Sequence, residues 1–412
     1  MPVSVLRRTT TRFYNRWSLY KFLLVFGVLL TVIQQMPVIR DNFYNEIRIV
    51  LYIIFGMISI SVLRKFSLHR SPILIKLFII TIILTTIEIL CFKLFGWNVG
   101  FSEILELLVP FGILISSYML SLDPKEAKLL IGAYVFLSTV MGVSLIFYYG
   151  QGFIIMEQYL KVSKNQTGPI LAISCTILVY QLLNESSFTT KKLVSFFSKF
   201  LILGLSFMVL LVIRNRSGIL GFLILAILMI INKATKRILL RNLMIVTVLF
   251  LLIFIMIISG LLTSLLEPLV KAFILNYDIS DLDSLSAGRT SVYFEALQFL
   301  LNYPIFGKLS TNQTISKIPH NYVLNKWVEY GLIGSIPFVM FYIYLWSFAI
   351  RRLFYQKKIK SNNPNPALWL LLLGLIISIF EYTYPYGPGV SQIMVWFCLG
   401  IILRSEHHRQ LG

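Results

Sequence analysis

The chain has 412 residues, of which 57% are hydrophobic and only 13% are charged. A soluble domain of this length does not bury so much apolar surface, so the composition excludes that class and indicates a polytopic membrane protein. The net charge of +20 comes from Lys and Arg in short clusters between apolar runs, which favours a role in membrane topology and excludes a nucleic-acid partner.

An all-α fold with about twelve transmembrane helices is predicted, because a span needs about 20 mostly apolar residues. The apolar runs are Leu19 to Ile33, Ile47 to Leu63, Ile73 to Leu90, Ile104 to Leu122, Ala127 to Tyr149, Gly168 to Leu183, Leu193 to Ile213, Ser217 to Ile231, Leu239 to Leu262, Val328 to Ile350, Ala367 to Phe380 and Val390 to Leu403.

The basic residues predict the orientation of these spans. If the N-terminus is cytoplasmic, the outer loops carry about half as many Lys and Arg as the inner segments, which is the positive-inside pattern. Both termini are therefore predicted to be cytoplasmic. The resulting organisation is spans 1 to 9 in residues 1–262, a long outer loop in 263–326, and spans 10 to 12 with a cytoplasmic tail in 327–412.

The long outer loop is predicted to be partly helical and functional, since loops beyond about 15 residues are usually functional or disordered. The run from Leu265 to Leu275 is apolar enough to lie on the membrane surface. Ser286 is a candidate cap for a helix that Asn302 and Pro304 end. One face of that helix is predicted to hold Tyr293, Leu297, Leu300 and Leu301.

His320 is the one histidine of four that the predicted topology places outside; His69, His407 and His408 fall in cytoplasmic segments. Histidine has an unperturbed pKa of about 6.5, which suits proton transfer at neutral pH. The plain alternative is an interfacial histidine at the start of a helix.

Three arginines on the predicted outer side are candidates for holding phosphate. Arg214 and Arg216 occupy a tight turn in VIRNRSGIL, against the positive-inside trend, and snorkelling to lipid head groups is the plain alternative. Arg289 lies near the start of the predicted loop helix, where backbone N–H groups already favour an anion. A guanidinium adds a planar fork that matches phosphate oxygens.

The outer segments contain none of the common nucleotide, hydrolase or metalloprotease motifs. Asp278, Asp281 and Asp283 form a cluster that we interpret as a solvated acidic loop rather than a cation site. Phosphate chemistry in this chain is therefore predicted to use arginine, without a metal ion or any cofactor.

Three segments together resemble the bacterial O-antigen ligase and polysaccharide polymerase superfamily. They are RNRSG, SAGRTSVYFEALQFLLNYPIFG and PHNYVLNKWVEYGLIG, in that order from Arg214 to Ser335. The first segment departs from the usual Ser-Arg form because Asn215 stands at the serine position, and the following Ser-Gly favours Arg216 over Arg214 as the matching arginine. The stretch KNQTGPILA, with Asn165 before a span, resembles a further family segment.

The resemblance implies an inverting, metal-independent glycosyltransferase at the outer face of the bacterial cytoplasmic membrane. Its donor is a polyprenyl-diphosphate-linked glycan and its acceptor is a glycan hydroxyl. His320 would be the general base, and Arg216 and Arg289 would hold the diphosphate. Further substrate-binding candidates are Arg214, Asn165, Asn321, Tyr293 and Trp327.

The leading hypothesis is a polymerase of O-antigen, capsular or exopolysaccharide repeat units, with a chain-length regulator or flippase of the same pathway as a further partner. The first alternative is a ligase that transfers the glycan to lipid A core or another acceptor. A second is a lipid-linked oligosaccharide flippase, for which Glu88 and Glu381, near span ends, are the main ionisable candidates. A third is a binding module for another assembly enzyme.

Overall fold

The computed structural model describes residues 19–69, 71–94, 102–120, 122–149, 164–184, 190–213, 215–233, 289–311, 313, 315–355, 366–382 and 390–411. All regular elements within these residues are helical, which confirms the predicted all-α class. Arg214, the predicted ninth span from Leu239 to Leu262, the run from Leu265 to Leu275 and the candidate cap Ser286 lie outside the described residues.

The described helices, in chain order, are α1 (Leu19–Ile33), α2 (Pro37–Leu63), α3 (Ile73–Leu94), α4 (Ser102–Leu120), α5 (Pro124–Tyr149), α6 (Lys164–Asn184), α7 (Thr190–Ile213), α8 (Arg216–Lys233), α9 (Arg289–Asn302), α10 (Tyr322–Gly334), α11 (Ile336–Ile350), α12 (Pro366–Ile377) and α13 (Ile393–Leu411). A 3-10 turn covers Gly307–Ser310, and a π-helical turn covers Arg351–Tyr355.

Six helical segments among the described residues are long and apolar enough to cross a membrane, namely α2, α3, α5, α6, α7, and α11 continued through the π-helical turn to Phe354. Helices α1, α4, α8, α12 and α13 contain shorter apolar segments, of 10–17 residues. Helix length and composition therefore indicate a membrane protein. The total of twelve spans, the outer position of residues 263–326 and the cytoplasmic termini stay predictions.

Helix α12 lies at the centre of the described bundle. All of its residues from Ala367 to Ile377 are buried, and it packs against α6, α8, α11 and α13. Helix α6 is similarly buried from Thr167 to Leu178. A helix that is hydrophobic all round finds its stable place inside a bundle, away from polar solvent.

The helices at the periphery bury one stripe and expose another. On α2 the exposed side chains include Ile49, Ile53 and Ile60, and large apolar side chains are likewise exposed along α3. Polar contacts add to van der Waals packing between helices: Thr139 and Ser206 share a hydroxyl hydrogen bond of 2.8 Å between α5 and α7. The exposed stripes are typical of surfaces that contact lipid.

The predicted tenth span, from Val328 to Ile350, is divided in the structure. Helix α10 ends at Gly334, and α11 begins at Ile336 with a proline in its first turn. Gly331 has φ 72° and ψ −176°, a conformation that is essentially restricted to glycine. A Cβ atom there would lie 2.2 Å from the carbonyl oxygen of Ile305, so the kink also depends on a close backbone contact.

Helix α9 packs on α10 through a small apolar cluster, which we call the α9–α10 cluster. Its buried members are Ala296, Phe299, Leu300, Leu324 and Val328. The predicted common face of α9 is split in the structure, because Leu300 is buried in this cluster while Leu297 and Leu301 are exposed. One part of the apolar surface of α9 therefore packs against α10, and another part is exposed at the surface of the protein.

Candidate active site

Three side chains from separate elements meet around the carboxylate of Glu381, and we call the four residues the Glu381 cluster: Ser217, Arg289, His320 and Glu381. Arg289 Nη2 lies 3.4 Å from Glu381 Oε1, and His320 Nδ1 lies 3.4 Å from Glu381 Oε2. The Ser217 hydroxyl donates to Glu381 Oε1 over 3.4 Å. The cluster therefore joins the first turns of α8 and α9 and the residue two before α10 to the chain beyond α12.

Exposure differs sharply within the cluster. The Glu381 side chain is 3% exposed, whereas Arg289 is 26% and His320 is 36% exposed. A buried carboxylate is costly unless it is paired and hydrogen-bonded, and the cationic and hydroxyl groups around Glu381 meet that need. Arg289 and His320 thus hold a buried anion on one side and are accessible to a ligand on the other.

The backbone around His320 is fixed by hydrogen bonds from both neighbouring elements. Asn321 caps α10, since its Oδ1 accepts from Leu324 N over 3.0 Å, and its Nδ2 donates to the carbonyl of Ile379 over 3.0 Å. Tyr322 N donates to Ser378 O over 3.0 Å. These bonds tie the start of α10 to the residues directly after α12, and so they bring His320 next to Glu381.

Tyr293 connects α9 to the same loop. Its hydroxyl donates to the carbonyl oxygen of His320 over 3.0 Å. Burial raises the pKa of the Tyr293 phenol, and the nearby Arg289 charge acts in the opposite direction. The phenol therefore stays a neutral donor, and it holds the positions of Arg289 and His320 relative to each other.

Asn215 is a second centre of hydrogen bonds beside the Glu381 cluster. Its Oδ1 accepts from Gly218 N over 2.7 Å, which caps α8. The same Oδ1 lies 3.3 Å from the Ser217 hydroxyl oxygen, whose single proton is shared between Asn215 and Glu381. Asn215 Nδ2 donates to the carbonyl of Lys164 over 3.0 Å. A Cβ atom on Gly168 would lie 2.3 Å from the Asn215 side chain, so α6 and α8 meet at this amide.

Arg216 and Asn165 lie at the same end of the bundle. Arg216 is the partly exposed first residue of α8, directly before Ser217 of the Glu381 cluster. Asn165 is the second residue of α6 and follows Lys164, whose carbonyl binds Asn215. The contacts of Asn215 therefore bring the first turns carrying Arg216 and Asn165 next to the Glu381 cluster.

Two aromatic residues have different surroundings. Trp327 is partly buried and packs on the α9–α10 cluster, so its visible contribution is to helix packing. Tyr382 places its ring centroid 6.2 Å from that of His320, with the planes tilted by 57°. Of the two, Tyr382 is next to the candidate base.

Glu381 and Asn215 were not predicted as site residues. Glu381 could be noticed in the sequence only as a rare ionisable residue near a span end, a feature that often marks function. Asn215 carries the signal of a helix cap, an amide directly before Ser-Gly and an apolar run. Neither signal names the partners, which lie far away along the chain.

No group of three or more His, Cys, Asp or Glu side chains that could hold a metal ion occurs among the residues described above. Comparison of the whole chain with known proteins gives no match to a protein-family model and no significant match to a curated protein. The superfamily resemblance therefore depends on the three sequence segments.

Proposed function

We propose that the chain is a metal-independent glycosyltransferase of the bacterial cytoplasmic membrane, with a polyprenyl-diphosphate-linked glycan as donor and a glycan hydroxyl as acceptor. The observation that carries this proposal is the convergence of Arg289 and His320 on the buried Glu381. The reaction needs a proton acceptor beside the attacking hydroxyl and cations beside the leaving diphosphate. The Glu381 cluster supplies both kinds of group.

His320 is the general base of the proposed reaction. Its Nδ1 faces Glu381, so a proton on Nδ1 is directed at the carboxylate and Nε2 keeps the lone pair that accepts a proton. The acceptor oxygen forms a bond to the anomeric carbon as its proton passes to Nε2. Glu381 stabilises the imidazolium that results, and so acts on the reaction through His320.

Arg289 and Arg216 hold the leaving group in this proposal. The bond from the anomeric carbon to the diphosphate oxygen breaks, and the electron pair leaves with polyprenyl diphosphate. A planar guanidinium fork matches phosphate oxygens, and the contact of Arg289 with Glu381 orients that fork. Attack from the side opposite the leaving group inverts the anomeric centre.

Polymerisation is the favoured reaction, with the repeat unit on one carrier as acceptor for the glycan on another. Position 318, two residues before His320, is Ile, and some ligases have a second histidine there. Transfer to lipid A core uses the same site chemistry. The two reactions differ only in the acceptor, so assays with each acceptor distinguish them.

Turnover by the purified full chain in proteoliposomes tests the proposal, with a synthetic polyprenyl-diphosphate-linked repeat unit as the only glycan. His320→Ala should lower the rate by about 10²–10⁴-fold, the usual contribution of a general base. His69→Ala is the matched control, since His69 is exposed in the segment between α2 and α3. Equal rates for His320→Ala and wild type would remove His320 from the mechanism.

Glu381→Gln tests the role of the carboxylate as a positioning group. The amide keeps the volume but removes the charge, so kcat should fall while the KM for donor changes less, and Glu381→Asp should restore part of the activity. Glu46→Gln, an exposed site on α2, is the control. A loss of folded protein without a specific loss of kcat would indicate a structural role alone.

Glycan analysis of a deletion strain distinguishes the alternatives in the cell. Core capped with a single repeat indicates a lost polymerase, whereas long carrier-linked polymer indicates a lost ligase. In a strain with His320→Ala, the lipid-linked repeat should still reach the outer face. Retention of that repeat inside the cell would favour the flippase.

A further inference from the structure

Helix α9 is apolar on two opposite faces. One face is buried against α10 in the α9–α10 cluster. The opposite face carries Phe294, Leu297 and Leu301, which are 65%, 50% and 82% exposed. A helix whose outer face contacts water normally carries polar residues there. These three side chains, which we call the outward stripe, therefore point to a second apolar surrounding.

The outward stripe continues into the exposed surface of a candidate membrane span. Leu332 N donates to Pro304 O over 2.8 Å and Ile333 N donates to Ile305 O over 3.2 Å, so the chain beyond α9 lies beside the end of α10. About half of the surface of Ile305, Leu332 and Ile333 is exposed. The exposure then passes along one face of α11 through Ile336, Met340 and Ile343.

We infer that α9 is an interfacial membrane helix, with its outward stripe inserted among lipid acyl chains as an extension of the lipid-facing surface of α11. The occupant is assigned from continuity: α11 with the π-helical turn after it is long and apolar enough to cross the bilayer, and its exposed face is followed toward α9 by the exposed side chains of Leu332, Ile333 and Ile305 and then by the outward stripe. Interfacial helices bury an apolar face about 5–10 Å into the boundary of head groups and acyl chains.

The flanking residues of α9 agree with this depth. Thr290, one turn before Phe294 on the line of the stripe, and Gln298, next to the stripe, are exposed polar residues, and Glu295 accepts hydrogen bonds from Ser316. Arg289, at the start of the same helix, is then held at head-group level. The inference concerns the lipid contact of α9 and holds whatever reaction the chain catalyses.

Spin-label accessibility in lipid vesicles tests the inference with the full chain and no substrate. Labels are attached to Phe294→Cys, Leu297→Cys and Leu301→Cys in a background with Cys91→Ser, because Cys91 is the exposed cysteine while Cys175 and Cys398 are buried. Ile343→Cys on α11 is the lipid control. Gln313→Cys, at an exposed position, is the water control.

The expected result is that all three labels in the outward stripe collide more often with oxygen than with a water-soluble nickel complex, as at position 343, while position 313 shows the reverse. Labels that favour the nickel complex would place the stripe in water and overturn the inference. Low accessibility to both reagents also overturns it: with dipolar broadening between labels it indicates a second copy, and without broadening another part of this chain.

A second measurement uses a smaller change in case the label disturbs folding. Phe294→Trp keeps an aromatic side chain, and its fluorescence should be quenched by lipids brominated near the head of the acyl chain. The six native tryptophans are present in the parent protein, which gives the reference signal. An unchanged quenching profile in the variant would contradict insertion even if the labelled proteins were misfolded.

Discussion

Helices α12 and α9 place charged groups at the same site from opposite kinds of surroundings. Helix α12 is buried on every side, and the chain just beyond it provides the buried Glu381. Helix α9 is buried on one side only, and its first residue is the partly exposed Arg289. The comparison shows that the buried carboxylate, Glu381, is provided from the centre of the bundle, whereas the partly exposed guanidinium, Arg289, is provided from its edge.

Hydrogen bonds to residues at the start of α10 connect α9 with the chain that follows α12. Asn321 and Tyr322 hydrogen-bond to the end of α12, whereas Tyr293 of α9 hydrogen-bonds to the carbonyl of His320. The candidate base therefore belongs structurally to both regions. Variants that affect one region should be separable from variants that affect the other.

The largest effect is expected from the buried side of α9. Phe299→Ala removes a ring from the α9–α10 cluster, and large-to-small changes of this kind cost about 3–5 kcal/mol of unfolding free energy. Phe294→Ala deletes the same ring from the opposite, exposed face and should change stability little. Equilibrium unfolding in detergent compares them, and equal losses would contradict the assignment of the two faces.

The kink at Gly331, inside α10 and near its end, is expected to show the next largest effect. Gly331→Ala imposes a side chain on a conformation that costs about 1–3 kcal/mol for other residues, before the contact with the Ile305 carbonyl is counted. Gly132→Ala is the matched control, because a Cβ atom on Gly132 meets nothing within 4 Å. Similar unfolding midpoints for both variants would show that the kink is not required.

Asn215, which caps α8, is expected to contribute less to the free energy of unfolding. Asn215→Ala removes the cap of α8 and the bond to Lys164, and loss of a cap costs about 0.5–2 kcal/mol. Asn42→Ala, at an exposed position on α2, serves as the control. Unfolding free energies measure the cost, and an Asn215→Ala protein as stable as wild type would contradict the capping role.

The smallest effect is expected in the loop after α9, where a fall in pH should break the hydrogen bonds between Ser316 and Glu295. Hydrogen bonds from the Ser316 hydroxyl and backbone N–H lower the pKa of Glu295 below its ordinary value of about 4.3. A depressed folded-state pKa means that the stabilising bonds are present above the ordinary value and are lost as the pH falls through the depressed one. The protection factor of the Ser316 amide, which is the intrinsic exchange rate divided by the observed rate at the same pH, should therefore be high near neutral pH and fall in acid.

Glu295→Gln supplies the control for this pH dependence. The amide does not titrate, so the exchange rate at Ser316, corrected for intrinsic chemistry, should lose its acid transition in the variant. A transition that persists would assign it to another group.

Apolar runs in the sequence were sufficient to predict an all-helical membrane protein, because the length of a span and its hydrophobicity are local properties. The break at Gly331 was missed, since the apolar pattern continues through it from Val328 onward. Its cause is a contact with Ile305, which no local pattern reports. The twelve-span count and the sidedness of the chain are still predictions.

The candidate site follows the same division. Residue chemistry and chain order singled out Arg289 and His320, and the structure brings both to one carboxylate. Glu381 was missed in that role because its contacts join residues 92 and 61 positions apart. Trp327 was a substrate-binding candidate, but the structure places it against the α9–α10 cluster, a position that depends on the packing of α9.

The main-chain hydrogen bonds around His320 have a consequence for substrate tolerance. With its carbonyl held by Tyr293 and the next two residues held by α12, the imidazole can adjust mainly by rotation of its own side chain. In the proposed reaction, a bulky acceptor would therefore not displace the base and would have to fit the space that remains. The proposed enzyme would then select acceptors by their size next to Nε2 of His320, where the space is fixed. Parts of the glycan farther from Nε2 would lie at the accessible edge of the site, where differences in structure would be tolerated.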